Sequence, residues 1–252
     1  MAAVFCIDVG NTSAHWGWVE GTQVHDRGEV ATQDCATLLP ALLAQKFPQA
    51  SVSLASVVPT TTAQLLPALR AISRDVFQLS ASTVVGLGFD YPNPAEVGQD
   101  RLANCIGAQV CCGAPAIIVD LGTATTFDVL THRGYAGGVI APGLAVMTSY
   151  LHGRTALLPK LDPATLSACP ALGKSTLAAM EAGCTHGFGG MMTAILDALI
   201  AELAAQGLKP NLLVTGGTTD FLPQGLAARL QRQPHLTLIG LAEAYRRTHK
   251  GA

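Results

Sequence analysis

The stretch CIDVGNTSAHWGW, residues 6–18, puts an Asp at the end of an apolar run, follows it with Gly-Asn-Thr, and then returns to apolar residues. About a hundred residues later IIVDLGTATTFDVL, residues 117–130, repeats the layout. Each stretch reads as strand, turn and returning strand, because Gly and short polar residues interrupt an apolar run where a tight bend is needed. One Asp-x-Gly is common in a chain of this length. Two at strand ends, each with Thr close behind and an apolar strand following, mark an internal duplication whose halves meet near Gly113–Pro115.

Working outward from the first turn, residues 3–9 read as a strand, HWGWV as its hairpin partner and HDRGEVAT as a third strand. A helix is expected over 34–47, a strand over 51–57, a Pro-Thr-Thr-Thr cap before a helix over 61–73, and a strand at VFQLS. GFDYPNPAEVG, residues 88–98, is a proline-shaped loop, and 100–112 a helix that begins with an acid. In the second half GYAGGVIAPG gives a strand and a turn, LAVMTSYLHG a helix, 154–173 irregular chain, 174–207 one long helix or two in series, and NLLVTGG a buried strand breaking into glycines. LTLIG and LAEAYRRTH close the chain, the latter as an amphipathic helix with a solvated basic face.

The 252 residues hold one large domain or two small ones, and with 49% hydrophobic and 13% charged residues they describe a packed interior rather than a disordered chain. A net charge of −2 gives no electrostatic footprint for nucleic acid. The uncharged runs Leu102–Val119 and Tyr135–His152 contain Gly, Pro and polar residues and read as core with turns, so no membrane partner is expected. No basic segment precedes the first apolar run, and the expected location is cytoplasmic. Seven cysteines without a CxxC pair read as reduced, mostly buried thiols.

In each Asp-x-Gly turn the carboxylate leaves the strand end while backbone N–H groups and Thr and Ser hydroxyls converge on one point. That geometry suits phosphate oxygens, with the Asp holding a phosphate-bound divalent cation directly or through water. Two such hairpins facing one another would clasp a polyphosphate, and the Gly-rich end VTGGT would let a nucleobase or ribose approach the backbone.

DVGNT (8–12), YPNPAEVGQDR (91–101), DLGTATTFDV (120–129), GGVIAPG (137–143), the Ser-Thr of GKSTLAAMEAG (173–183) and VTGG (214–217) occur in this order along nearly the whole chain. Together they resemble the type III pantothenate kinases of the actin/sugar-kinase superfamily, and GxDR before a helix is the most specific element. The resemblance implies an α/β fold of two actin-like, ribonuclease H-like lobes, 1–113 and 114–252, with a nucleotide cleft between them. It implies ATP-dependent phosphorylation of pantothenate with Mg²⁺ and a monovalent cation, K⁺ or NH₄⁺, in a homodimer. Asp100 is then the general base. Asp8, Val9, Gly10, Asn11, Thr12, Ser13, Ala14 and His15 bind ATP, with Asp8 on the Mg²⁺ side, and Gly122, Thr123, Gly216 and Gly217 also contact the nucleotide. Tyr91, Gly98, Gln99, Arg101 and Thr176 bind pantothenate alongside Asp100, and Asp120 is similar to the family's monovalent-cation ligand. Ser175 replaces the family's usual Asn beside that Thr. The similar Bvg accessory factor proteins give a second reading, a regulatory protein without catalysis, and another small-molecule kinase of the superfamily a third. A degenerate binder has no need of all three acids, and Asp8, Asp100 and Asp120 are intact.

Simpler roles compete with some of these. Asp8 and Asp120 would also serve as turn carboxylates, and Asp100 as a first-turn helix acid, a role compatible with catalysis. GKS at 173–175 is not a phosphate loop, because that motif needs Gly where Ala168 stands. GFGG at 187–190 reads as close helix packing, and the seven His show no zinc spacing.

Overall fold

The computed structural model describes residues 3–249. The first half runs β1 (Val4–Val9), β2 (Ser13–Glu20), β3 (Gln23–Ala31), α1 (Cys35–Lys46), β4 (Ser51–Ser56), α2 (Pro59–Ile72), β5 (Asp75–Gln78) and α3 (Gln99–Cys111). The second runs β6 (Ala116–Leu121), β7 (Ala124–Thr131), β8 (Gly134–Pro142), α4 (Leu144–Arg154), α5 (Thr176–Ala205), β9 (Asn211–Thr215), α6 (Gln224–Ala227), β10 (Gln231–Arg232) and α7 (Leu236–Thr248). The two five-stranded sheets have orders β3-β2-β1-β4-β5 and β10-β9-β6-β7-β8. Read from the third strand of each half, both orders are the same, so the duplicated motif is a duplicated sheet.

Two compact units result. One holds the described residues through Ala114, Val129–Gly137 and the described residues from His235 on; the other holds Pro115–Asp128 and Gly138–Pro234. The chain thus returns to the first unit twice, with the tip of the β7–β8 hairpin and with α7.

In the first unit β1 pairs antiparallel with β2 and parallel with β4. Helices cover both faces of this centre, which is why VFCIDV and SVSLAS are near-continuous apolar or small runs. On one face Phe5, Ile7, Val9 and Leu54 pack with Leu39, Leu43, Leu65 and Leu69 of α1 and α2. Phe5 stacks on Trp16 at 5.6 Å and Phe47 on Trp18 at 4.8 Å. On the other, Ser53 Oγ donates to Leu241 O of α7 at 2.8 Å. β3 alternates exposed and half-buried residues, as an edge strand with one wet face does.

Two expectations need correction. Pro59 is the first residue of α2 rather than part of a capping turn, because proline's fixed φ suits the first helical position. The basic end of α7 is not solvated: Arg246 and Arg247 are 11% and 17% exposed, and both pair with Glu243. Arg246 also donates to Gly21 O, and Arg247 to Gly86 O and Gln109 Oε1. Burial pushes the Glu243 carboxyl up, but the bonds from the two guanidiniums outweigh it and leave it below its ordinary value.

In the second unit Ile117, Ile118, Val119 and Leu121 of β6 are fully buried, and β6 pairs parallel with β9. Ser175 caps α5, its Oγ accepting from Ala178 N–H at 3.1 Å, and Gly207 at φ +75° ends the helix. GKS is therefore a helix cap with no strand feeding it. GFGG lies inside α5, where a Cβ on Gly189 would press on Pro223 at 2.6 Å. None of the seven cysteines is in a disulfide, and burial pushes the Cys112 thiol up to about 11.

Candidate active site

Asp8 is the fifth residue of β1, opposite His15 on β2 and beside Ala55 on β4. The turn that follows closes with Gly10 N–H donating to Ser13 O at 2.9 Å. Thr32 fixes it from outside: its Oγ1 donates to Gly10 O at 2.7 Å and its N–H to Thr12 O at 3.2 Å. Asn11, Thr12 and His15 are exposed, and Ser13 Oγ lies 3.3 Å from His15 Nε2.

The GxDR element sits beside this turn in the same unit. Val9 is paired with Ser56 at the end of β4, and Ser56 N–H donates to Gln99 Oε1 at 2.8 Å. That bond holds the first residue of α3 against the strand neighbouring β1. Asp100 follows in the first turn of α3, half-buried, with its Oδ1 accepting from Arg101 N–H at 2.9 Å. A Cβ on Gly98 would lie 2.5 Å from the same Oδ1, so glycine leaves the carboxylate its space. Burial raises the Asp100 pKa, and the Arg101 N–H and charge, which pull it down, do not cancel the rise. A carboxylate with a raised pKa is a better proton acceptor than an ordinary aspartate. Tyr91 and Arg101 both neighbour Tyr135: the Tyr91 ring is 5.4 Å away, edge-on, and the Arg101 guanidinium 5.6 Å away.

In the second unit Asp120 is the fifth residue of β6 and sits beside Thr215 on β9. Its turn closes with Gly122 N–H donating to Ala124 O at 3.1 Å, and Gly122 and Thr123 are exposed. Gly143, which precedes α4, donates to Thr123 O at 3.1 Å, so a helix N-terminus abuts the turn. Gly216 at φ +98° ends β9, Gly217 is exposed, and Thr218 Oγ1 donates to Leu121 O at 3.1 Å. Thr176 opens α5 and is exposed at an apolar cavity of ≈ 880 Å³ with Met147, Tyr150 and Met180.

Asp8–His15, Tyr91 and Gly98–Arg101 therefore lie in one unit, and Asp120, Gly122, Thr123, Thr176, Gly216 and Gly217 in the other. The sequence reading missed the supporting residues Thr32, Ser56, Tyr135 and Thr218. It also passed over Asp128, a fully buried carboxylate to which Thr126 Oγ1 donates at 3.4 Å. Thr32, Ser56 and Tyr135 act on partners distant in sequence, while Thr218 and Asp128 lie inside VTGGT and DLGTATTFDV with no separate signal of their own.

Two sheets of one order, each opening with an Asp-x-Gly hairpin, define an actin-like α/β protein. The fold resembles a Baf family protein of Campylobacter jejuni, named for transcriptional activation (TM-score 0.63, 18% identity, 96% of this chain and 97% of that one). It also resembles the activator of 2-hydroxyisocaproyl-CoA dehydratase from Clostridium difficile, solved with bound ADPNP (TM-score 0.56, 11% identity, 98% and 96%). The family model for type III pantothenate kinase matches residues 4–198. A type III pantothenate kinase of Akkermansia muciniphila is 42% identical over 187 residues, 74% of each chain. The chain belongs to the type III pantothenate kinase family.

Proposed function

We propose that the protein transfers the γ-phosphoryl group of ATP to the primary hydroxyl of pantothenate, giving 4′-phosphopantothenate and ADP, the first step of coenzyme A biosynthesis. Family membership supports this reading, and the observation that carries it is the half-buried Asp100 carboxylate, held by α3 beside the first Asp-x-Gly turn.

Asp100 accepts the proton of the pantothenate hydroxyl as its oxygen bonds to the γ-phosphorus and the bond to the ADP oxygen breaks. The transition state is loose, so the proton moves late and positioning matters more than basicity. Arg101, beside Asp100, offers a guanidinium to the pantothenate carboxylate, with Tyr91, Gly98 and Gln99 of the same unit lining the acceptor pocket, and Thr176 is assigned to pantothenate as well. The Val9–His15 and Gly122–Thr123 turns take the phosphates through N–H and hydroxyl groups other than the Gly10 and Gly122 N–H, which close the turns themselves, aided by the N-terminus of α4. Gly216 and Gly217 let the nucleoside approach the backbone.

The donors at the strand ends are oxygens, carboxylates and Thr hydroxyls, and these suit hard cations. Asp8 would hold Mg²⁺ and Asp120 the monovalent cation, K⁺ or NH₄⁺. Buried Thr125 Oγ1 has no hydrogen-bond partner and stands five residues past Asp120, an oxygen compatible with such a site. Bound Mg²⁺ neutralises charge on the phosphates.

A homodimer belongs to the same reading. Val146, Tyr150 and Leu151 of α4 and Leu177 of α5 are exposed, 38%, 59%, 40% and 46%. α5 is long and apolar enough to cross a membrane by length and composition, yet only 28% of its most apolar window is buried. A second copy of the chain would cover this face. Incubation with ATP, Mg²⁺, K⁺ and pantothenate, read by mass spectrometry, tests the reaction: a product heavier by one phosphoryl group supports it, and ATP binding without that product overturns it.

A further inference from the structure

The tip of the β7–β8 hairpin, Val129–Gly137, belongs to the first unit, and what fixes it there converges on one residue. Tyr135 N–H donates to Gly88 O, and Asp90 N–H donates to Tyr135 O, both at 2.9 Å, making a parallel bridge at Phe89. Gly134 adopts φ +116°, and a Cβ there would overlap the Gly88 carbonyl, so the two segments touch backbone to backbone. An Arg133–Asp90 ion pair at 2.8 Å closes the same junction on its wet side. Loop 88–91 and Tyr135 therefore form one block.

The Tyr135 side chain is 1% exposed, and its ring neighbours two groups assigned above to pantothenate. The Tyr91 ring meets it edge-on at 5.4 Å and 73°. The Arg101 guanidinium lies 5.6 Å from its centroid, within cation–π range. A guanidinium on a flexible stem loses side-chain freedom when it binds a carboxylate, and a ring that already orients it removes part of that loss.

We propose that Tyr135 is a positioning residue for the acceptor pocket, its ring holding Arg101 and Tyr91 in the orientation that receives the pantothenate carboxylate. The inference rests on the reading under Proposed function. Tyr135 touches no reacting atom, so its loss acts on acceptor binding and leaves the nucleotide side alone.

Steady-state kinetics of wild type, Tyr135→Phe and Tyr135→Leu, with ATP and pantothenate varied separately, test it. Tyr135→Phe keeps the ring and stays within about 3-fold of wild type; Tyr135→Leu raises the pantothenate KM about 10-fold and leaves the ATP KM within about 2-fold. In an Arg101→Ala background Tyr135→Leu adds less than about 3-fold, because the residue it orients is gone. A matching rise in both KM values, a change in kcat alone, effects that multiply with Arg101→Ala, or a failure of Tyr135→Phe overturns the proposal. If Tyr135→Leu does not fold, Tyr135→Met is read in its place, and loss of folding in both assigns Tyr135 a structural role and overturns it as well. No pantothenate turnover by wild type overturns the underlying reading and the inference with it, an outcome distinct from failure of the variants alone.

Discussion

The backbone N–H of Ser56 donates to the side-chain oxygen of Gln99 at 2.8 Å. Ser56 ends the strand beside β1, and Gln99 starts the helix that carries Asp100, so one bond joins the phosphate-turn side of the sheet to the proposed base. Gln99→Leu leaves that N–H without its partner and is expected to lower stability by about 1–2 kcal/mol, with a fall in kcat/KM for pantothenate. Gln99→Glu keeps an acceptor oxygen and is expected to retain the stability. Urea denaturation of both variants checks this, and equal loss in the two would contradict it.

Burial raises the folded-state pKa of Asp100 above the unfolded value, so the folded protein binds this proton more tightly. The charged carboxylate therefore penalises folding above the folded pKa, and the penalty vanishes below the unfolded one. Asp100→Asn is expected to be at least as stable as wild type near pH 7.5, the difference closing as pH falls from the raised folded pKa to the ordinary aspartate range. The base must be ionised to act, so kcat/KM should fall with acidification at a midpoint above that range. Thermal melts and a pH–rate profile read the two effects, and a midpoint in the ordinary range would count against the raised pKa.

Gly240 is where α7 crosses α3. A Cβ there would overlap the Ala103 carbonyl and lie 3.0 Å from Gly107 N, and neither backbone can swing aside. Gly240→Ala is expected to cost about 3 kcal/mol, the upper end for overpacking, and to disturb the helix that presents Asp100. Gly225→Ala, with nothing within 4 Å of its new Cβ, is the control and should be neutral or slightly stabilising. Comparable melting temperatures for the two would refute the crossing argument.

The exposed apolar face of α4 and α5 predicts an assembly state. Leu151→Asp places a charge among Val146, Tyr150 and Met180 and is expected to convert a dimer to monomer in analytical ultracentrifugation. A wild-type protein that sediments as a monomer at micromolar concentration would remove the dimer from this account.

Much of this was legible because the informative pattern is local. The runs around Asp8 and Asp120 are apolar since both strands are buried, and the glycines mark the turns, so the duplication shows in the sequence as it does in the two sheets. What stayed hidden depends on distant partners. The arginines of α7 look solvated in AEAYRRTH, yet besides Glu243 their acceptors are Gly21, Gly86 and Gln109, far away in the chain. Tyr135 stands two residues before the GGVIAPG motif and outside it, and the hairpin tip's docking on loop 88–91 reveals its neighbours. Ser56 is one small residue in SVSLAS, and its bond to Gln99 spans 43 positions.

Asp100→Asn in a coupled ADP-release assay with pantothenate, Mg²⁺ and K⁺ tests the central claim most directly. The variant keeps the shape and burial of the side chain and loses the proton acceptor. Pantothenate-dependent turnover should be present in wild type and fall by about 10²–10⁴-fold in the variant, with ATP affinity unchanged. Turnover that persists in the variant would contradict the assignment of Asp100 as the base, and its absence in wild type would contradict the kinase reading itself.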